Sequence, residues 1–240
     1  MKTYLYPEIA DWESILERPT QPLDDIEATV TEVFKEVKQN GDSALMQFTK
    51  TYDKVDLENL LVSEKEIETA ITKVDDALKE AINLAKQNIE TFHSAQQSQK
   101  ISVNTMEGVL CWQEKRPIQK VGLYIPGGTA PLFSTVLMLA IPAKIAGCQD
   151  IILCSPPNKS GQIANEILYA AQLCGVTKIF KVGGIQAIAG LTFGTETISK
   201  VFKIFGPGNQ YVTVAKQLVT KYRVAIDGPA SHSELLVMAD

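Results

Sequence analysis

Apolar residues in the first hundred positions recur at intervals of three and four. Ile26, Val30, Val33 and Val37 follow helical spacing, and the stripe stops at Gly41, which reads as a C-cap. Ser63-Glu64-Lys65-Glu66 has the form of a capping box, so a second helix opens there and carries Ile67, Ile71 and Val74. A further stripe passes through Leu78, Ile82, Ala85, Ile89 and Phe92, and it reads as packing rather than function. Between residues 101 and 115 the period shortens to two around Glu107-Gly108, the mark of a β-hairpin.

After Pro117 the texture changes. Short β-rich runs at 121–125, 151–155, 178–182, 201–205, 223–227 and 235–239 alternate with glycine turns and helical stretches. Strands alternating with helices predict right-handed βαβ units and a parallel sheet. The expected fold class is α/β: a parallel-sheet βαβ domain, Rossmann-like but incomplete, preceded by a mainly helical partial domain. The boundary falls near residue 118. Residues 1–118 form a helical region and hairpin within a first α/β domain, 119–235 the parallel-sheet domain, and 236–240 a strand leading back to the first. The helices before the boundary are expected to form a separate domain and, if a missing half normally pairs with that domain, to show exposed apolar faces, as an incomplete fold would.

Composition narrows the function classes. With 45% hydrophobic and 21% charged residues, the 240-residue chain suits one large domain or two smaller ones. Lys and Arg number 23 against 28 Asp and Glu, a net charge of −5, which argues against a nucleic-acid surface and for a small-molecule partner. Met1-Lys2-Thr3-Tyr4 leads on without an apolar h-region, so no signal peptide is expected. The most apolar stretch, residues 132–143, falls short of the ~20 residues of a membrane span and contains Pro142, so no membrane partner is expected. Cys111, Cys148, Cys154 and Cys174 form no CxxC pair and lie in apolar runs, as buried free thiols of a reducing cytoplasm do.

Candidate chemistry gathers at strand ends that run into glycines: Tyr124-Ile125-Pro126-Gly127-Gly128, Val182-Gly183-Gly184-Ile185-Gln186 and Phe205-Gly206-Pro207-Gly208-Asn209. At the carboxyl ends of parallel strands such turns let a ligand approach bare backbone, while the following helix aims free N–H groups at any anion there. Each turn alone is equally a device for tight strand-to-helix reversal; together they predict one shared crevice. The third turn begins like a dinucleotide fingerprint, and Asp227 lies near the distance at which an acid meets a ribose hydroxyl, but Tyr211 stands in place of the third glycine. Walker A, HExxH and GxSxG motifs do not occur.

The segments 121–128, Pro131-Leu132-Phe133-Ser134-Thr135-Val136-Leu137-Met138, 182–189, and 204–209 continuing through Ala215-Lys216 resemble the histidinol dehydrogenase family in sequence and order. The resemblance implies a cytoplasmic enzyme of histidine biosynthesis that oxidises L-histidinol through the aldehyde to L-histidine with NAD and zinc, as a homodimer. By position, Tyr124, Gln186 and Asn209 match the family's NAD-contacting residues, and Ser233 a substrate-contacting serine. Their chemistry agrees, since a phenol, two carboxamides and a hydroxyl all suit a polar ligand. Where the family reads Ala-Gly-Pro-Ser-Glu, this chain has Ala230-Ser231-His232-Ser233-Glu234, a loop without the Gly-Pro stiffening. Only His93 and His232 are present, without ligand spacing, and His232 reads as a locally bonded loop residue. The family's metal ligands and acid/base pair belong to a carboxyl-terminal portion without counterpart here. No catalytic or metal residue is therefore expected in this chain, which should not turn over histidinol alone and reads as a cut or truncated product. The alternatives are an inactive nucleotide-binding module and, on the cysteines, an aldehyde-dehydrogenase-like protein, although Cys148, Cys154 and Cys174 sit in no evident nucleophile loop.

Overall fold

The computed structural model describes residues 4–16, 23–128 and 130–228. The strand expected at 235–239 and the loop bearing His232 and Ser233 lie outside the described residues. The hairpin forms as expected from β1 (Ile101–Met106) and β2 (Val109–Gln113), paired antiparallel. The sheet comprises β3 (Lys120–Tyr124), β4 (Asp150–Ser155), β5 (Lys178–Lys181), β6 (Lys203–Phe205) and β7 (Ala225–Ile226), all parallel, in the order β5-β4-β3-β6-β7. Helices α5 (Phe133–Ile145), α6 (Asn165–Leu173), α7 (Gly184–Phe193) and α8 (Gln210–Val219) make the crossovers. The chain lays β4 and β5 on one side of β3, then returns to lay β6 and β7 on the other. Strand order thus reverses between β3 and β6, the point where open α/β sheets leave a crevice at their carboxyl ends.

Both faces of the sheet are covered, which explains the nearly continuous apolar runs of its strands. Val121, Leu123, Ile151, Leu153 and Ile179 enter one core with α5 and α6; Tyr124, Ile152, Cys154, Phe180 and Ile204 enter the other with α7 and α8. Alternate residues of a strand serve opposite layers, as the pleat requires.

The helices before residue 118 do not stand apart. After a short α1 (Trp12–Leu16) comes α2 (Leu23–Phe48), whose Ile26, Val30, Val33 and Val37 are at most 1% exposed and pack against α7 and α8. Each such side chain contributes roughly 1.5–3 kcal/mol by leaving water. Helices α3 (Glu64–Lys73) and α4 (Asp76–Ala95) cover α6 and α5 on the other face. The amphipathic stripes were read correctly as buried faces; what they are buried against is the sheet domain itself. The Leu78 stripe reaches the core through Ile82, but its last member, Phe92, is exposed.

Gly41 behaves differently from the C-cap expected of it. Its backbone is non-helical (φ 52°, ψ −130°), yet the helical path resumes and buries Ala44 and Leu45. The Asp42 N–H donates to the Glu196 carboxylate at 2.7 Å, so the loop after α7 takes up the donor freed by the kink. The capping box is present: Ser63 Oγ accepts from the Glu66 N–H, and Glu66 Oε2 accepts from the Ser63 N–H at 2.8 Å. The Leu60 carbonyl accepts from the Lys181 N–H and the Val62 N–H donates to the Ile179 carbonyl, so this segment occupies part of the outer edge of β5.

Candidate functional site

A crevice of about 660 Å³ opens at the carboxyl ends of the strands, a size suited to a small organic ligand. Its walls include Pro126, Gly127 and Gly128 after β3, Pro156 after β4, Gly184 and Gln186 after β5, and Asn209 after β6. The expected convergence of the three glycine turns on one crevice therefore occurs.

Tyr124 ends β3 with its ring in the core, 4% exposed, and its hydroxyl accepts a hydrogen bond from the Gly184 N–H at 3.1 Å. Burial pushes the phenol up to about 12, and the Asp53 carboxylate adds to the shift against the Gly184 bond. Gln186 lies in the first turn of α7 and is 1% exposed. Its Nε2 donates a long bond of 3.4 Å to Asp53 Oδ2, and its Oε1 is buried without a partner. An unpartnered buried carbonyl costs about 1–3 kcal/mol, so it is a group that a hydrogen-bond donor from outside could satisfy. Asn209 is the N-cap of α8, with Oδ1 accepting from the Val212 N–H at 3.0 Å. Two helices of ten residues thus start at the crevice, α7 with Gly183 as an N-cap that supplies no side-chain acceptor. Their N-terminal N–H groups and partial positive charge favour an anionic ligand group.

The glycines themselves answer mainly to packing. A Cβ on Gly183 or on Gly127 would run into the ring of Pro156, and one on Gly206, whose φ is 128°, would overlap the Tyr124 carbonyl. Only at Gly128, among the glycines of these turns, would an added Cβ meet open space. Bare backbone for a ligand is therefore available at Gly128, and tight reversal accounts for Gly127, Gly183 and Gly206.

Asp227 does not stand ready for a ribose. Its Oδ2 accepts from the Gly206 N–H at 2.9 Å and its Oδ1 pairs with Lys216 Nζ, which also donates to the Gly206 carbonyl at 2.6 Å. The acid that spacing suggested as a ligand group clamps the turn instead.

Sequence reasoning missed the wall contributed by the amino-terminal helices: Thr29, Tyr52, Asp53 and, from α8, Tyr211. Asp53 closes a π-helical turn (Thr49–Asp53), and Lys54 beyond it is left-handed, at φ 62°. Burial pushes the Asp53 carboxyl up to about 6. No local motif marks this residue. A π-turn is itself a frequent companion of functional sites, but it is not legible from composition.

The cysteines divide. Cys154 and Cys174 are buried as expected, whereas Cys111 lies on a hairpin whose strands are exposed throughout and Cys148 is half-buried. Burial pushes the thiols of Cys148 and Cys154 up and that of Cys174 to about 11, the reverse of what a nucleophile needs. Among the described residues no group of three or more His, Cys, Asp or Glu side chains could hold a metal ion, and no helix is long and apolar enough to cross a membrane. Tyr124, Gln186 and Asn209 are thus brought together, while the position of Ser233 lies outside the described residues.

The family model described as histidinol dehydrogenase matches residues 16–240. The histidinol dehydrogenase of Bacteroides fragilis is 57% identical over the full chain, which covers 56% of that relative. That of Salmonella typhimurium is 52% identical, over 97% of this chain and 55% of its own length. The crystal structure of histidinol dehydrogenase from Elizabethkingia anophelis superposes with a TM-score of 0.87 at 53% identity, over 96% of this chain and 53% of that one. The chain spans about half the length of the relatives it matches.

Proposed function

The chain belongs to the histidinol dehydrogenase family, and on that premise we propose that its crevice is the NAD-binding half of a site that oxidises L-histidinol, through the aldehyde, to L-histidine. The observation that carries this reading is the meeting of Tyr124, Gln186 and Asn209 at the switch point of the sheet, with two helix N-termini beside them. The orphaned Oε1 of Gln186 and the open backbone at Gly128 fit a ligand that carries hydrogen-bond donors and anionic groups together, as a dinucleotide does. Hydride acceptance is the chemistry NAD supplies when bound. The part of this chain is to bind and orient the nucleotide: Asn209 offers an amide at the mouth, Tyr124 holds the Gly184 turn, and Gln186 lines the floor.

The described residues do not fit a zinc site. In this proposal zinc and the acid/base groups belong to the length of the relatives that this chain does not span, Ser233 contributes a substrate contact, and the whole enzyme is a cytoplasmic homodimer. Calorimetric titration tests the reading: the 240-residue chain should bind NAD weakly and form no NADH from histidinol, with or without zinc. Robust NADH formation would place a complete site within these residues and overturn the half-site reading.

A further inference from the structure

The crevice contains an acid besides Tyr124, Gln186 and Asn209. Among the described residues that line it, Asp53 alone carries a charged side chain; the rest are tyrosines, prolines, glycines, an isoleucine, a threonine and two carboxamides. It is half-buried, presented by the π-turn at the end of α2, and its hydrogen bond from Gln186 Nε2, at 3.4 Å, is too long to compensate a desolvated carboxylate. Beside it the Gln186 carboxamide turns a second acceptor, Oε1, that has no donor. A crevice-lining carboxylate with so weak a donor defines a place for hydrogen-bond donors, and hydroxyl groups on adjacent carbons can bond its two oxygens as a pair. A phosphate would meet repulsion there.

We propose that the Asp53 carboxylate receives the hydroxyl groups of a ribose of the bound nucleotide, taking the part for which Asp227 is unavailable. The proposal rests on the nucleotide reading of the crevice and assigns it a binding residue from outside the sheet. It gives the packing of α2 on α7 and α8 a second consequence: the turn at its end delivers an acid to a crevice whose own strand ends supply none.

A pH signature follows. The carboxyl stands at about 6 when the crevice is empty because burial disfavours its charge, and hydroxyl donors favour the charged form. Bound nucleotide should therefore lower its titration midpoint. The sign is fixed: binding is full above pH 6 and weakens as pH falls through 6. At pH 5 roughly a tenth of empty sites are ionised, so affinity should be about tenfold lower than at pH 8. The other titratable groups facing Asp53 are the phenols of Tyr52 on the same turn, Tyr124 from β3 and Tyr211 from α8, with Glu32 of α2 acting on Tyr52. Burial raises the phenols of Tyr52 and Tyr124, away from this window, and Asp53→Asn separates Asp53 from Glu32.

The test is NAD titration of the chain and of Asp53→Asn between pH 5 and 8, together with the carbon-13 carboxyl titration of Asp53 with and without NAD. Asp53→Asn should bind about tenfold to a hundredfold more weakly at pH 8 and lose the pH dependence, while its melting temperature at pH 8 stays equal or rises. If NAD saturates the wild-type chain but leaves the Asp53 midpoint in place, and Asp53→Asn binds as tightly, the assignment of Asp53 is wrong and the nucleotide crevice stands. If the wild-type chain binds no NAD at any pH, the nucleotide reading falls and takes this assignment with it.

Discussion

Asn209 serves two purposes, and substitutions can separate them. Its Oδ1 caps α8 by accepting from the Val212 N–H at 3.0 Å, and in the proposed site its amide also donates to NAD. Asn209→Ala removes both. Loss of the cap should cost about 1 kcal/mol, within a range of roughly 0.5–2. For a domain of this size that lowers the melting temperature by about 2–4 °C. Loss of one or two hydrogen bonds to ligand should weaken NAD binding by about 1–3 kcal/mol, which is about 5-fold to 140-fold. Asn209→Asp keeps an acceptor for Val212 and suits the helix N-terminus, so stability should be retained. It cannot donate, so binding should still fall. Thermal melts and calorimetric NAD titrations of both variants decide the matter. Should Asn209→Asp bind NAD like the wild type, the amide is no donor to the ligand; should Asn209→Ala melt with the wild type, the cap contributes nothing.

Two stability predictions concern the turn after β6. Gly206→Ala places a methyl group on the Tyr124 carbonyl at a φ of 128°, so expression trials and far-ultraviolet circular dichroism should find little folded protein; a melt within a few degrees of wild type would show that the turn can relax. Lys216→Met keeps the buried stem but leaves Asp227 unpaired, and calorimetric melting should report a loss of about 3 kcal/mol, the low end for a broken buried pair because Asp227 is 31% exposed. An unchanged transition would mean that water replaces the lysine at no cost.

What could be read along the chain was what is encoded locally. The Ser63 capping box, the Glu107-Gly108 hairpin, the alternation of strands with crossovers and the glycine-bearing strand ends each occupy a few consecutive residues, and each forms where expected. Strand ends were less accurate: β7 keeps only Ala225 and Ile226 of the run expected over 223–227 and, among the described residues, pairs with β6 alone. Partners distant in sequence were not legible. Nothing near Asp53 announces that a turn at the end of α2 reaches a crevice formed more than seventy residues later, and the spacing that offered Asp227 to a ribose could not reveal that Lys216 and Gly206 already hold it. The stripes of α2, α3 and α4 told which faces were buried but not that the sheet would bury them. The four cysteines show the same limit, because an apolar neighbourhood in sequence left Cys111 in the open.

Pro156 touches two of the glycine turns at once. A side chain on Gly127 or on Gly183 would collide with the same pyrrolidine ring, although the two glycines follow different strands and lie 56 positions apart in the chain. These three residues therefore cannot drift independently over evolutionary time. While the proline stays, both glycines are held; loss of the ring's Cγ would release Gly127, but Gly183 meets Cβ itself, which every residue except glycine carries, so its release needs at least the further step to glycine at 156. The route by which this crevice could acquire a new shape thus begins at a residue that carries no polar side-chain group, and the order of the steps matters as much as their content.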